Sequence, residues 1–217
     1  MKIVIQIILA IGVFILSFLL YKSIEKPIEF NKEKNRRYEA VIQRLKDIRT
    51  AQVAYKSVKG EYTAHFDTLI DFLKQDSFPL VRKKGSVPDS LIEQLKSMSK
   101  AEAKALELGI ISRDTSLISV KDSLFGAHKR PGFNVDRLKF IPFTNGIKFA
   151  MGAGEIETGS KVKVKVFEAK APNHVILNGM DRQEIINLNE AAESLNKYKG
   201  LRVGSLEEAT NNAGNWE

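Results

Sequence analysis

The stretch MKIVIQIILAIGVFILSFLLYKS, residues 1–23, decides how the rest of the chain is read. Between residues 3 and 20 there is no charge, and Gln6 and Ser17 are the only polar side chains. At about 1.5 Å of rise per residue this run makes roughly 27 Å of helix, close to the thickness of a bilayer's hydrocarbon core. Lipid offers backbone N–H and C=O groups no partner, so a crossing segment must be helical. Tyr21 and Lys22 follow, an aromatic and a snorkelling cation where head groups begin. A cleaved signal peptide would have a shorter apolar core and then a small-x-small site. SFLLYKS offers no such site, so residues 1–22 read as a transmembrane anchor that stays on the protein.

Beyond the anchor the composition is that of an ordinary soluble domain. The chain has no cysteine, which excludes disulfides, thiolate metal sites and a Cys nucleophile. The net charge of +8 is unevenly placed: residues 1–60 hold 12 of the 34 Lys and Arg but only 5 of the 26 acids. Each basic residue near an anionic leaflet contributes about 1 kcal/mol of attraction, although a solvated helix face explains the same pattern. A nucleic-acid binder would carry its excess on the folded domain. The expected partners are the lipid bilayer and other envelope or inner-membrane proteins, copies of this chain included, and no nucleic acid.

Pro27 lacks an N–H donor and is expected to kink a helix leaving the membrane, or to restart one. No Gly or Pro interrupts residues 31–59. There Tyr38, Val41, Leu45, Ile48, Gln52 and Tyr55 are spaced 3, 4, 3, 4 and 3 apart, an a/d seam with charges on the other faces. Its length falls short of the three or four heptads that argue for a coiled coil. An amphipathic helix lying on its own domain explains the stripe equally. We therefore expect Tyr38, Val41, Leu45, Ile48 and Tyr55 to be a helix-packing stripe on a stalk over residues 23–60. Lys56, Lys59 and Gly60 suit its C-terminus.

Residues 66–73 read as a short second helix, closed by a Ser77-Phe78-Pro79 turn. The segment AYKSVKGEYTAHFDTLIDFL, residues 54–73, resembles the type IV pilin and pseudopilin family. Its long first helix often ends in Ala-x-Tyr…Gly-x-Tyr before a short Leu-rich helix. Ala54, Tyr55, Gly60, Tyr62, Leu69 and Leu73 match, and the resemblance covers residues 1–75. It implies an outward-facing domain on a membrane helix. The family's Gly-Phe-type processing site is missing, and Ile5 stands where its Glu would be, so the likeness is one of architecture.

Farther on, Arg82-Lys83-Lys84-Gly85 reads as a basic turn and residues 87–108 as a helical pair, with Ser99-x-x-Glu102 as a capping box. Residues 110–120 are β-branched and alternating, a strand or hairpin. Short strands are expected at 138–141, 147–151, 162–169 and 201–203, and a further one at 175–177, with turns at 144–146 and 152–160. Asp181-x-x-Glu184 opens a last helix reaching about Tyr198, and the polar residues 211–217 are expected to fray.

His65, His128 and His174 have no partner at metal-ligand spacing. Gly152-x-Gly154 lacks the third small residue of a dinucleotide fingerprint, and the Gly159-Ser160-Lys161 order is wrong for a phosphate loop. Glu155 and Glu157 need no catalytic meaning. We expect no enzyme, cofactor or metal. One basic pattern remains, Lys161-Val-Lys-Val-Lys-Val166, whose alternation predicts a face of Lys161, Lys163 and Lys165. That face is a ridge for anionic groups, a plain solvated face, or an edge strand protected by lysines.

The expected fold is α+β: a transmembrane helix continuing as an amphipathic stalk, then a small antiparallel sheet of four or five strands flanked by helices in one domain, 61–210. The expected function is a structural or assembly component of a bacterial envelope machine, with a tethered adaptor using its basic stalk as the alternative. The positive-inside rule, with Lys22 to Arg37 against Lys2 alone, favours a cytoplasmic domain. The resemblance and the absence of Cys favour the periplasm, which is the side expected here.

Overall fold

One helix, α1 (Lys2–Lys59), runs from the apolar stretch through the whole stalk in the computed structural model, which describes residues 2–159 and 161–217. Pro27 lies inside it without ending it, so no second helix restarts there. The lost N–H removes one rung, and helix already formed on both sides carries the chain through. The C-terminus is as read: Gly60 has φ +80° and donates its N–H to the Lys56 carbonyl at 2.8 Å. α1 is long and apolar enough to cross a membrane, and its large apolar side chains such as Ile3, Phe14 and Leu20 stand exposed.

The chain divides into two compact units, residues 1–69 with 136–217, and residues 70–135. The expected single 61–210 domain is thus two bodies, parted inside α2 (Phe66–Gln75). The expected sheet is also two sheets.

In the first unit β3 (Ala150–Glu157), β4 (Lys163–Pro172) and β5 (Gly200–Gly204) form an antiparallel sheet in the order β3-β4-β5. α1 packs on β4, β5 and the short helix α6 (Asn173–Ile176). Phe167, Ala169 and Ala171 of β4 are buried, with Val41, Leu45, Ile48 and Ala51 of α1. Gly152 and Gly154, expected in a turn, lie within β3. A Cβ on Gly152 would come 2.9 Å from Leu206 Cδ1, so the end of that exposed side chain would have to shift to admit one. Residues 175–177, expected to be a strand, begin inside α6. Residues 138–141 make a single bridge, Phe140 to Lys148, rather than a strand. α7 (Arg182–Ser194) is capped as expected by Asp181, whose Oδ1 accepts from Gln183 N at 2.9 Å and Glu184 N at 3.3 Å, but it stops short of Tyr198.

The tail expected to fray is stitched down instead. Gly214 bridges Val203, Asn215 N–H donates to the Arg202 carbonyl at 3.0 Å, and Gly204 N–H donates to the Ala213 carbonyl at 2.9 Å.

In the second unit β1 (Ser77–Lys84) pairs antiparallel with β2 (Ser112–Ser119), Ser77 opposite Ser119 and Lys84 opposite Ser112. The expected turns at Pro79 and at residues 82–85 are therefore strand, with only Gly85 left beyond its end. A strand with one open edge can turn the missing proline N–H outward. α3 (Asp89–Leu95) and α4 (Met98–Glu107) form the expected helical pair. The N-cap of α4 is Ser97, not Ser99, and it makes no side-chain cap bond. α5 (Val120–Phe125) follows β2 directly.

Candidate functional site

α1 is tied to its sheet along one line of side chains. Val41, Leu45 and Ile48 of the expected stripe are fully buried, while Tyr38 and Tyr55 are half-buried. Tyr38 sits beside α6, where its hydroxyl donates to Asn173 Oδ1, and Asn173 Nδ2 donates in turn to Asn189 Oδ1 at 2.8 Å. Burial pushes the Tyr38 phenol up to about 12. Arg37 Nη1 donates to the carbonyls of Ile176 at 3.1 Å and Asn178 at 3.0 Å. Its Nε holds Glu33 at 2.8 Å, and Arg37 and then Arg36 keep that carboxyl below its ordinary range.

Lower down α1, Arg44 donates to the Arg137 carbonyl and Arg49 pairs with Glu217 at 2.7 Å. The last buried position of the line is Gln52. Its Nε2 donates to the Thr63 carbonyl at 2.6 Å, and its Oε1 accepts from the Thr63 N–H at 3.1 Å. A side-chain amide thus completes the backbone of the turn that leaves the helix. The spacing pattern found Gln52 as a stripe position, but nothing in the sequence marks Thr63, Asn173 or Glu217 as its companions.

The predicted basic face is only partly assembled. Lys161 lies in the turn before β4, at φ +59°, so it does not share the strand alternation. The turn is closed by Thr158, whose N–H donates to the Val162 carbonyl at 3.0 Å. Lys163 and Lys165 do alternate, and both are exposed. They share their strand face with Phe167, which is buried farther along β4. Lys165 Nζ donates to the Gly60 carbonyl at 3.0 Å, a cation at the negative end of a helix.

Beside this contact is a cleft of about 530 Å³, lined by Tyr55, Glu61, Tyr62, His65, Glu155 and Lys165 among others. The Tyr62 ring packs on Phe167 at 4.9 Å between centroids and carries Lys56 Nζ at 4.7 Å. His128 and His174 lie exposed elsewhere, and among the described residues no three His, Asp or Glu side chains gather as a metal site. Glu155 and Glu157 share one face of β3. Opposite them on β4 stand Lys165 and Lys163. Two carboxylates are buried among the described residues: Asp47 on α1, which accepts from Gln43 Nε2 at 3.1 Å, and Glu168, held by Lys170 at 2.5 Å with Arg202 at 3.7 Å, the latter an arrangement invisible to sequence spacing.

No protein-family model, curated protein or solved structure matches the chain.

Proposed function

We propose that this chain is a single-pass, membrane-anchored, non-enzymatic structural or assembly component of a bacterial envelope machine, pseudopilin-like in architecture, with its α+β part in the periplasm. One observation carries the reading: a single uninterrupted helix exposes apolar side chains along its first third and buries a stripe against its own sheet farther on. A helix that is apolar all round seeks lipid, whereas a one-sided stripe seeks a protein core. Joining both without a loop gives a rigid lever between bilayer and domain. Such a lever suits a part that positions other proteins.

The outer face of α1, with Gln43, Lys46 and Val53 exposed, is where a neighbour would pack. A photoreactive residue placed at Gln43 or Lys46 should cross-link to protein in native membranes. Cross-links to lipid alone, or none at all, would remove the assembly reading. An export-dependent reporter fused after Glu217 should be active, and an inactive reporter on a stable fusion would place the domain in the cytoplasm.

The tethered-adaptor reading is favoured by Lys22, Lys26 and Lys32, all exposed on α1 just past the apolar run. It predicts retention on vesicles that grows with anionic lipid content and fades with salt.

A further inference from the structure

The two outer edges of the β3-β4-β5 sheet are treated differently. That of β5 is covered by residues 213–215 of the chain's own tail: Asn215 Oδ1 accepts from Arg202 N–H at 3.0 Å, and Asn215 Nδ2 donates to the Gly200 carbonyl at 2.9 Å. That of β3 is open, since among the described residues β3 pairs with β4 and with no other strand. Proteins blunt such edges with charged side chains, lysines above all, with prolines or with bulges. β3 has the sequence AMGAGEIE, with no lysine, proline or bulge along its eight paired residues and Glu155 and Glu157 as its only charges, and Ala150, Gly154, Glu155 and Glu157 are exposed. A Cβ on Gly154 would meet nothing within 4 Å.

The charges say what kind of strand fits. On its inner side β3 pairs with the Lys-Val-Lys-Val run of β4, Glu155 opposite Lys165 and Glu157 opposite Lys163. A strand side chain stands midway between its neighbours on either side, about 4.8 Å away in each direction. A second strand laid on the outer side would therefore bring its own alternate side chains up to the same two carboxylates. Lys165 does not saturate them, because it turns its ammonium to the Gly60 carbonyl. The cleft walled by Ala153, Gly154 and Glu155 adds Glu61 and two tyrosine rings beside the strand. Opposite charges directly across a ladder stabilise it, and like charges do the reverse.

We propose that the outer edge of β3 accepts, by strand addition, an extended peptide with Lys or Arg at alternate positions. Backbone hydrogen bonds supply the affinity and the Glu155–Glu157 pair selects the charge. This does not depend on the membrane reading, and its failure would leave that reading untouched.

The test uses the full chain in a neutral detergent and a fluorescent blocked peptide containing KVKVKV. Binding should be saturable, about fivefold weaker for a QVQVQV peptide, and about fivefold weaker for the E155Q/E157Q chain. Hydrogen exchange should slow at amides within residues 150–157 when the peptide is saturating. Varying the peptide against the unaltered chain keeps the test valid even if the double variant folds poorly. Absence of saturable binding, equal binding of the QVQVQV peptide, or binding without slowed exchange in β3 would each overturn the proposal. So would a chain that dimerises through β3 and ignores the peptide.

Discussion

Gln52 of α1 and Thr63 of the following loop face each other as a reciprocal pair, 2.6 Å from amide nitrogen to carbonyl oxygen and 3.1 Å from backbone nitrogen to amide oxygen. Both residues are buried, so each hydrogen bond replaces one that water would otherwise make. Replacing Gln52 by Leu keeps the volume but strands two backbone groups. We expect a loss of about 1–3 kcal/mol for each stranded group, read from the denaturant midpoint. An unchanged midpoint would mean that water enters the turn freely.

The stripe on α1 makes a second prediction. Leu45→Ala or Ile48→Ala should cost about 2–5 kcal/mol, because both side chains are fully buried. Lys46→Ala, one position away on the exposed face, should stay within about 0.5 kcal/mol. Thermal unfolding of the three variants separates a packed stripe from an accidental heptad.

Two pH limbs follow from the ion pair and the phenol. Arg49 keeps the Glu217 carboxyl below its ordinary range, so the pair's contribution is present above that range and is lost as acid protonates the carboxyl. The stability gap between the wild type and Arg49→Met should therefore close as pH falls through the carboxylate range and below. A gap that stays constant would deny the pairing. Tyr38 behaves in the opposite sense, with its folded value raised to about 12 from 10. Stability should be intact below pH 10 and fall between 10 and 12, and Tyr38→Phe should soften that fall. Tyrosinate absorbance should show Tyr38 ionising late, and Tyr198, also raised by burial, should lag as well.

Gly204 has φ +69°, and a Cβ there would run into the Phe167 carbonyl. Gly204→Ala should destabilise the sheet clearly, while the same change at the open Gly154 should do little, as read by urea unfolding.

How far the sequence could be read depended on the range of the interaction. The end of α1 was legible because Lys56, Lys59 and Gly60 act within one turn, and so was the Asp181 cap of α7. Val41, Leu45 and Ile48 were legible because a helix repeats its face every three or four residues. Pro79 and Gly152 misled, since each was read by its local tendency while its neighbours in space decided the outcome. At Gly152 the side chain that reaches the Cβ position is Leu206, 54 positions on. The split into two sheets and the stitching of residues 213–215 onto β5 are long-range pairings that no spacing rule reports. The cleft went unread for the same reason, since it joins loop 61–65 to a strand far along the chain.

The most direct test of the account is whether the intact chain behaves as an integral membrane protein. Membranes containing it should be washed at alkaline pH and floated, and the chain followed by intact mass. We predict that it floats with the lipid at a mass that retains residues 3–20. A chain released by the wash, or one that has lost those residues, would contradict the account.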